Sequence, residues 1–288
     1  MVLTVTLNPS LDVWLRVPTF RVGAFHRAKD VTCSVGGKGI NVSRVIRALG
    51  GKTVILTPTG GVHRVNYKIV SQSPRASTEI NSPGSRLTGT ELRQVGRRLW
   101  TLMRRADCVV FSGSVPPGTP GTIYRRWILR ARRQRVVSVL DASGELLRLG
   151  ISARPWLVKP NREEAETLLH TRITSITRAV HAVQALLRRG PRLALLSLGQ
   201  DGALLGIRAT GEMWQAQPPA TRVISTVGSG DALLGGFLAA WQRGKPLADA
   251  LRVGVACGTA SAMTPAGAML YPADVRRLLP RVRLTRLN

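Results

Sequence analysis

The residues with the clearest chemical potential stand where a glycine-rich turn opens a helix late in the chain. Thr226-Val-Gly-Ser-Gly-Asp231 is followed by an apolar helical run to Trp241. Gly228 and Gly230 allow a tight turn with exposed N–H groups, and a helix N-terminus of this kind attracts anions. Asp231 beside a bound phosphate makes chemical sense if it takes a proton from a hydroxyl that attacks phosphorus. A simple N-terminal cap is the alternative that the run alone leaves open.

A second glycine cluster, Gly36-Gly-Lys-Gly-Ile-Asn41, opens another predicted helix. It has neither the Walker A spacing nor the GxGxxG spacing of dinucleotide-binding proteins. Its glycines permit the close approach of a polar ligand, Lys38 offers a positive charge, and the amide of Asn41 can bind hydroxyl groups. The alternative is a strand-to-helix turn that holds no ligand.

A third cluster, Lys159-Pro-Asn-Arg-Glu-Glu164, follows a predicted strand. Its spacing places Asn161 and Glu164 one helical turn apart on the same face. Their oxygen atoms suit Mg²⁺ held through water, whereas an ordinary helix-capping arrangement is the alternative. The four histidines have no spacing typical of a zinc site.

Apolar segments that alternate with amphipathic ones must position these clusters. The predicted strands are Val2–Leu7, Thr53–Pro58, Cys108–Ser112, Val136–Leu140, Trp156–Lys159 and Leu193–Leu198. The predicted helices run from about Asn41 to Leu49, Leu87 to Arg105, Pro120 to Arg133, Glu163 to Leu169, Ile176 to Arg189, Gly230 to Trp241 and Leu247 to Thr264. This order predicts an α/β fold with a mostly parallel sheet and helices on both faces.

Two stretches, residues 12–35 and 64–82, interrupt this alternation. They contain short extended pieces, namely Val13–Val17, Val31–Val35, Asn66–Val70 and Ser77–Ile80, and they show no helical period. We expect them to form a small β-layer that projects from the core as a lid. Because the chain has no internal repeat and no linker, residues 1–288 are predicted to form a single domain.

Composition excludes several classes of protein. The 288 residues are 44% hydrophobic and 20% charged, which excludes wholesale disorder and collagen-like repeats. No apolar run approaches the roughly 18–20 residues that a membrane-spanning helix needs. Cys33, Cys108 and Cys257 form no CxxC pair and are expected to be reduced, buried thiols in a cytoplasmic protein.

The charge balance is unusual, with 42 Lys+Arg against 15 Asp+Glu and a formal net charge of +27. A field of this size attracts polyanions at low salt. The arginines, however, are spread through periodic helical segments, and aromatic residues make up only 5% of the chain. The pattern is typical of a solvated arginine-rich surface, so we expect no specific nucleic-acid partner.

Eight motifs in one order resemble those of the PfkB (ribokinase-like) carbohydrate kinase family, and within it the phosphosugar branch of the 1-phosphofructokinase and tagatose-6-phosphate kinase type. They are Thr6-Leu-Asn-Pro-Ser-Leu-Asp12, Gly36-Gly-Lys-Gly-Ile-Asn41, Thr78-Glu-Ile-Asn-Ser-Pro-Gly84, Ser112-Gly-Ser-Val-Pro-Pro-Gly118, Asp141-Ala-Ser-Gly-Glu145, Lys159-Pro-Asn-Arg-Glu-Glu164, Ser197-Leu-Gly199 and Ser225-Thr-Val-Gly-Ser-Gly-Asp231. The resemblance extends from the first strand to about Pro280.

The resemblance implies a Rossmann-like core with a β-lid, ATP as phosphoryl donor and Mg²⁺ as cofactor. It makes Asp231 the catalytic base and Gly228, Ser229 and Gly230 an anion hole. The residues that it assigns to the sugar phosphate are Asp12, Gly37, Lys38, Asn41, Ser114, Arg64, Lys68 and Arg27. Those on the nucleotide side are Lys159, Asn161, Glu164, Ser197, Gly199 and Thr226, of which Asn161 and Glu164 would organise Mg²⁺ and its waters.

The resemblance also implies a function, the ATP-dependent phosphorylation of a sugar phosphate. Fructose 1-phosphate, converted to fructose 1,6-bisphosphate, is the first expectation because of the run from Glu79 to Gly84. Tagatose 6-phosphate and fructose 6-phosphate are the alternative acceptors. A catalytically impaired relative that binds sugar phosphate or nucleotide is a further alternative.

Two departures from the family pattern bear on these alternatives. Ser229 replaces the usual alanine of the glycine turn. After Gly61 the chain lacks a helix and a strand that members normally have, because only Val62 and His63 precede the segment that begins at Arg64. An unpaired sheet edge or an exposed apolar face is expected to follow unless a homodimer, formed through the lid, covers it.

Overall fold

Strands and helices alternate along most of the chain in this computed structural model, which describes residues 1–58, 64–73, 75–264 and 269–287. The strands are β1 (Val2–Val5), β2 (Ser10–Val17), β3 (Asp30–Gly36), β4 (Thr53–Leu56), β5 (Arg64–Gln72), β6 (Arg75–Asn81), β7 (Cys108–Ser112), β8 (Val137–Asp141), β9 (Leu157–Val158), β10 (Leu193–Ser197), β11 (Ala203–Ile207), β12 (Met213–Gln217) and β13 (Arg283–Leu287). The helices are α1 (Lys38–Ala48), α2 (Gly89–Met103), α3 (Ile123–Arg133), α4 (Gly144–Ile151), α5 (Arg162–Leu169), α6 (Ile176–Arg188), α7 (Ser229–Gln242), α8 (Leu247–Ala262) and α9 (Pro272–Leu278).

The larger of two sheets has the strand order β13-β12-β11-β10-β9-β8-β7-β1-β4. The six strands from β10 to β4 pair in parallel, and β11, β12 and β13 extend the sheet by antiparallel pairing. Helical crossovers return the chain to the same end of the sheet after each parallel strand, so the carboxyl ends of these strands lie along one edge. The predicted α/β class with a mostly parallel sheet is confirmed.

Helices cover both faces of this sheet and divide the core in two. One hydrophobic cluster joins the sheet to α2, α3, α4, α5 and α6, and the other joins it to α1, α7, α8 and α9. Strand β10 shows how the sequence produces the two layers, because Leu195 belongs to the second cluster and its neighbour Leu196 to the first. Alternation of side chains across a strand fills both faces when every residue of the strand is apolar.

The predicted parallel strands and long helices are all present, with ends that shift by a few residues. Helix α1 begins at Lys38, slightly before the expected start near Asn41. Helices α4 and α9 and strands β11 to β13 were not predicted. The two helices have only eight and seven residues, too short for an amphipathic period to stand out. The antiparallel strands are short and pair with one another. Their apolar runs are too short to distinguish a strand from a segment of buried helix.

The smaller sheet, called the lid sheet below, has the order β3-β2-β5-β6 and contains the four extended pieces predicted within residues 12–35 and 64–82. Asp12 pairs with Asn66 across β2 and β5, and these side chains share a polar face with Lys68. The opposite face contains exposed apolar side chains, including Leu11, Val35, Tyr67 and Ile80. The lid sheet therefore presents a polar face to one side and an apolar face to the other.

The sheet ends at β4, where the family resemblance predicts a missing helix and strand. Only residues 57–63 separate β4 from β5, and Ile55 on β4 is 42% exposed. Gly60 to His63 lie outside the described residues. The deletion stays a prediction, and the edge position and exposed Ile55 agree with it.

Cys33 corrects the expectation that the cysteines are buried. Cys108 and Cys257 are buried, whereas Cys33 lies exposed on β3, on the apolar face of the lid sheet. Within the part of the chain that the structure describes, no helix has the length and apolar character required to cross a bilayer. The assignment of residues 1–288 to one domain stays a prediction.

Candidate active site

The glycine turn before α7 forms a helix N-terminus with free backbone donors. Gly228 caps the helix with φ 79°, a left-handed conformation that glycine adopts without strain. The N–H groups of Gly230 and Asp231 have no acceptor among the described residues, as is usual in the first turn of a helix. Positively polarised N–H groups therefore face the cavity at this point.

Asp231, in this first turn, is nearly buried with 7% of its surface exposed. Its Oδ2 accepts a hydrogen bond of 2.8 Å from Nδ2 of Asn41, which lies on α1. Burial raises the pKa of Asp231 to about 6, and the neighbouring charge of Asp141 adds to this effect. Lys38, Asn41 and Lys159 oppose the rise. Asp231 is thus a carboxylate near neutral pH that accepts a proton more readily than an ordinary aspartate.

Two lysines share one buried carboxylate beside Asp231. Asp141, at the end of β8, is fully buried, and its Oδ1 lies 3.2 Å from Nζ of Lys159 and 3.5 Å from Nζ of Lys38. Burial alone would raise the pKa of Asp141, but the two ammonium groups together lower it. Asp141 in turn raises the pKa of Lys38 above its usual value, and Glu164 adds to the rise. Lys38 therefore remains protonated at neutral pH, and both lysines line the cavity beside Asp141.

Asn161 and Glu164 form a capping box at the start of α5. Oδ1 of Asn161 accepts from the Glu164 N–H at 2.8 Å, and Oε2 of Glu164 accepts from the Asn161 N–H at 2.9 Å. The capping alternative raised by the sequence is therefore what the structure contains. Oε1 of Glu164 also lies 3.4 Å from Nζ of Lys38 in the cavity, so the same carboxylate faces the charged groups around Asp231.

The polar face of the lid sheet contributes a second group of side chains. Oδ1 of Asp12 accepts hydrogen bonds from Oγ of Ser10 at 2.7 Å and from Nδ2 of Asn66 at 2.9 Å. Gly36 lies so close that a Cβ atom there would be 2.5 Å from Oδ2 of Asp12. Acceptor and donor groups that are fixed in this way suit the hydroxyl groups of a sugar.

The cations expected to bind the phosphate of the substrate differ in their surroundings. Lys68 is buried, and its Nζ lies 3.4 Å from Glu79, 3.8 Å from Asp12 and 4.8 Å from the centre of the Trp14 ring. Arg64 donates only to the backbone oxygens of Asn8 and Ser82 among the described residues. The guanidinium of Arg64 is therefore the more available positive charge.

A cavity of about 1450 Å³ joins these groups at the carboxyl edge of the parallel strands. The residues expected from the sequence that line it are Asp12, Gly37, Lys38, Asn41, Arg64, Lys68, Lys159, Asn161, Glu164, Ser197, Gly199, Thr226, Gly228, Ser229, Gly230 and Asp231. Among the described residues, Arg27 and Ser114 were also expected at the site but do not line the cavity. Arg27 is exposed near Phe25, and Ser114 accepts from Asn8 at 3.2 Å.

Apolar side chains also line the cavity. They are Pro218, Pro219, Val223, Val255 and Ala262. Ser197, which is bridged to Asn161, and Gly199 line the same cavity, and both are expected at the nucleotide. The lining therefore offers apolar surface for a flat base and polar groups for a charged phosphate chain.

Asp141 is the residue whose importance the sequence did not reveal. The Asp141–Glu145 motif contains it, but the sequence assigned no function to its side chain. Because Asp141 follows a predicted buried strand, its position at the carboxyl edge of the sheet could have been expected. Asn66 was also missed, and Glu79 was named only as part of the Glu79–Gly84 run, because their contacts to Asp12 and Lys68 cross from one lid strand to another. Strand register, which the sequence does not specify, brings these pairs together.

Comparison with known proteins identifies a family of sugar kinases. Residues 65–272 match the model of the pfkB family carbohydrate kinases. A 1-phosphofructokinase of Bacillus subtilis is 32% identical over all of both chains, and one of Escherichia coli is 31% identical over 82% of this chain and 83% of its own. The Bacillus alignment spans 311 residues, more than the 288 of this chain, which agrees with a deletion here.

Solved structures extend the comparison to the fold. Phosphofructokinase-2 of Escherichia coli, in complex with substrates and products, has a TM-score of 0.91 at 26% identity and covers 97% of this chain and 98% of its own. A ribokinase of Arabidopsis thaliana has a TM-score of 0.74 at 19% identity and covers 96% of this chain and 98% of its own. The ribokinase-like fold with a second small sheet, expected from the sequence, is confirmed.

Proposed function

This chain belongs to the pfkB family of carbohydrate kinases, and from that premise we propose that it transfers the terminal phosphoryl group of ATP to a hydroxyl group of a sugar phosphate. The observation that carries the proposal is the Asp231 carboxylate, which sits in the first turn of α7, bonded to Asn41 and with its pKa raised. A positioned base beside free N–H donors is the arrangement that in-line phosphoryl transfer requires.

Each group at the cavity has a distinct part in this mechanism. The sugar hydroxyl groups bind to Asp12 and Asn41, which places the reacting hydroxyl beside Asp231. Asp231 takes the hydroxyl proton as the oxygen attacks phosphorus. The free backbone N–H groups of Gly230 and Asp231 and the ammonium group of Lys38 stabilise the negative charge on the transferring group. The N–H of Ser229, which the resemblance also assigns to the anion hole, instead donates to the backbone oxygen of Thr226 at 3.2 Å.

Mg²⁺ fits the donor groups on the nucleotide side. Glu164 and Asn161 offer a carboxylate and an amide oxygen beside the proposed phosphate path, and Glu164 already accepts from Lys38 and its own capping partner. Mg²⁺ usually keeps several waters and is held by one or two carboxylates plus substrate phosphates. When bound, it would neutralise phosphate charge, and Glu164 would hold it through water while the capping box keeps the carboxylate in place.

Fructose 1-phosphate is the proposed acceptor, with fructose 1,6-bisphosphate as product. The aligned relatives of Bacillus subtilis and Escherichia coli bear the name 1-phosphofructokinase. In the Glu79–Gly84 run, Glu79 pairs with Lys68, and Gly84 approaches Asn8 so closely that a Cβ atom would lie 2.3 Å from Oδ1 of Asn8. This run therefore shapes the sugar side of the cavity, and Arg64 supplies the charge for the substrate phosphate.

A homodimer through the apolar face of the lid sheet is the proposed assembly. Leu11, Val35, Tyr67 and Ile80 on that face are each exposed by more than 40%. A second copy would bury these side chains, and contiguous exposed apolar patches commonly mark such interfaces. We expect Tyr67→Glu to shift the protein from dimer to monomer in analytical ultracentrifugation. Val22→Glu, at a 96% exposed loop position, is the matched control and should leave the dimer intact.

The test of function is a coupled assay with Mg-ATP and three separate acceptors, fructose 1-phosphate, fructose 6-phosphate and tagatose 6-phosphate. We expect fructose 1-phosphate to have the highest kcat/KM. Asp231→Asn should lower kcat by more than about 100-fold, the lower scale for a positioned base. A loss below tenfold would contradict the role of Asp231.

Glu163→Gln is the matched control for this assay, because Glu163 has the same charge and lies at the rim of the cavity without a contact to Asp231. It should retain most of the activity. If the protein binds sugar phosphate or ATP in calorimetry but shows no turnover, the result would instead support the alternative that it is a catalytically impaired relative. The predicted deletion after Gly61 would then explain the loss of activity.

A further inference from the structure

Helices α2 and α3 gather a large part of the positive charge of the chain on one surface. Residues 89–135, all of which the structure describes, contain eleven arginines and only two carboxylates, Glu91 and Asp107. Every one of these arginines is exposed. They are Arg93, Arg97, Arg98, Arg104, Arg105, Arg125, Arg126, Arg130, Arg132, Arg133 and Arg135, and this set is called the arginine face below.

The two helices contact each other through their tryptophans, so the exposed arginines of α2 and α3 lie on neighbouring elements. Trp100 of α2 packs edge-on against Trp127 of α3 with ring centroids 6.2 Å apart, and the guanidinium of Arg130 lies 4.6 Å from the centre of the Trp100 ring. The sequence had suggested that the arginines are scattered. Adjacent packing of α2 and α3 concentrates them instead.

The charges of the arginine face are not neutralised within the protein. Among the described residues, none of the eleven forms an ion pair, and both nearby carboxylates are engaged elsewhere. Glu91 is bound in the capping box of Thr88, and Asp107 pairs with the N-terminal amine. Arg93 and Arg97 lie one turn apart, a like-charge spacing that destabilises a helix. Such a surface is expected to attract an anionic partner.

The arginine face is separate from the catalytic cavity. None of its eleven residues is among the described residues that line that cavity. Both helices lead into strands, α2 into β7 and α3 into β8, so their C-terminal ends lie at the amino edge of the sheet, whereas the cavity lies at the carboxyl edge. A ligand on this surface would leave Asp231 accessible.

We propose that the arginine face binds the phosphate backbone of duplex nucleic acid. Arginine presents several N–H donors in a fork that matches phosphate oxygens. Neither helix has an exposed large apolar side chain that could enter a lipid layer. Neither has an exposed aromatic ring on which the bases of a single strand could stack, because Trp127 is buried and Trp100 is covered by Arg130.

The dimensions and chemistry of the surface agree with backbone contacts. The 15 residues of α2 span about 22 Å, the length of roughly six base pairs of duplex. Because the proposed contacts are to phosphates and not to base edges, binding is independent of base sequence. Affinity falls steeply with salt, by a slope of about −0.9 for each phosphate that an arginine neutralises.

The experiment measures fluorescence anisotropy of labelled 16-base-pair duplexes, one of DNA and one of RNA, between 50 and 300 mM KCl. The test protein has four substitutions on the arginine face, R97Q, R104Q, R126Q and R133Q. The control protein has R178Q, R188Q, R276Q and R283Q, which remove the same charge from exposed positions on other elements. Circular dichroism melts verify that both variants are folded.

We expect the test variant to bind duplex at least about 100-fold more weakly than the parent at 100 mM KCl, with a salt slope smaller by about 3.6. The control variant should lose less than tenfold. Equal losses in the two variants would show an effect of net charge alone and overturn the proposal. Tighter binding to a single strand, or equal competition by polyglutamate, would also overturn it. Similar affinity for the DNA and RNA duplexes agrees with recognition of the phosphate backbone. A preference for one of them would identify which kind of duplex the arginine face binds.

Discussion

Asp231→Asn should stabilise the protein while it abolishes catalysis, because burial of the carboxylate is costly. The pKa of Asp231 is raised from 3.8 to about 6, a little over two units. At about 1.4 kcal/mol per unit, the charged carboxylate destabilises the native state by roughly 3 kcal/mol at neutral pH. Asparagine has nearly the same shape and can still accept from Asn41. We therefore expect a gain of about 2–3 kcal/mol in the free energy of unfolding.

The sign of the pH dependence follows from the direction of this shift. The pKa of Asp231 is higher in the native state than in the unfolded state, so the native state holds the proton more tightly. The destabilisation of the native state by the charged carboxylate therefore grows as pH rises from about 4 to about 6. Above pH 6 this destabilisation reaches its full value. The gain from Asp231→Asn should consequently fall from about 3 kcal/mol at pH 7.5 to about 1 kcal/mol at pH 4.5.

Urea unfolding at these two pH values, followed by circular dichroism, measures the gain. Asp141→Asn is the contrasting variant, since Asp141 is also buried but holds Lys38 and Lys159. Removal of its charge should destabilise the protein by about 3 kcal/mol or more at pH 7.5, because two ammonium groups lose their partner. An Asp231→Asn protein that is less stable than the parent at pH 7.5, or a gain that is the same at both pH values, would refute the reasoning.

Three further measurements test other parts of the structure. The kcat/KM for the sugar phosphate should fall about tenfold per pH unit below pH 6, where Asp231 becomes protonated; a pH–rate profile measures this. Gly36→Ala should raise the KM for the sugar at least about tenfold in steady-state kinetics, because its Cβ would lie 2.5 Å from Oδ2 of Asp12 and force a shift. Arg135→Gly should raise the unfolding free energy by about 1 kcal/mol in urea titrations, because Arg135 holds a left-handed φ of 58°.

Matched substitutions control these tests. Gly89→Ala places a Cβ no closer than 3.4 Å to the end of the flexible Arg93 side chain, and it should leave the KM unchanged. Gln134→Gly, at a φ of −87°, should lose up to about 1 kcal/mol because no strain is relieved. A rate that stays constant from pH 7 to pH 5, an unchanged KM in Gly36→Ala, or a less stable Arg135→Gly would each contradict the corresponding argument.

The parallel core could be predicted because its signals are local. Strand β10 (Leu193–Ser197) begins with four consecutive apolar residues, and α6 has its buried residues at helical spacing. Strands β11 to β13 could not be identified in this way. Their partners lie up to 74 residues apart along the chain, as in the pairing of Met213 with Leu287, and antiparallel pairing at a sheet edge leaves no distinctive period.

The sequence predicted which residues form the candidate site better than it predicted how their side chains contact one another. Glycine turns, the NxxE spacing and the family resemblance identified the groups at both ends of the cavity, including Asp231, Asn41 and Glu164. They did not indicate that Lys68 is neutralised by Glu79 and Asp12, that Arg27 lies outside the cavity, or that the thiol of Cys33 is exposed. The contacts of Lys68 and the exposure of Cys33 depend on register within the lid sheet and on which of its faces turns toward the core. Arg27 lies in the connection between β2 and β3, whose path the strands do not specify.

The class of fold, the order of the parallel strands and long helices, and the residue types that phosphoryl transfer needs follow from the sequence alone. These features depend on periodicity and on backbone preferences that act over a few residues. Only the tertiary structure decided that Asp231 lies against Asn41, that Asp141 holds two lysines and that α2 and α3 combine their arginines into one surface. The physical reason is that burial, pKa and local charge density depend on distances between elements, which packing of the whole chain sets.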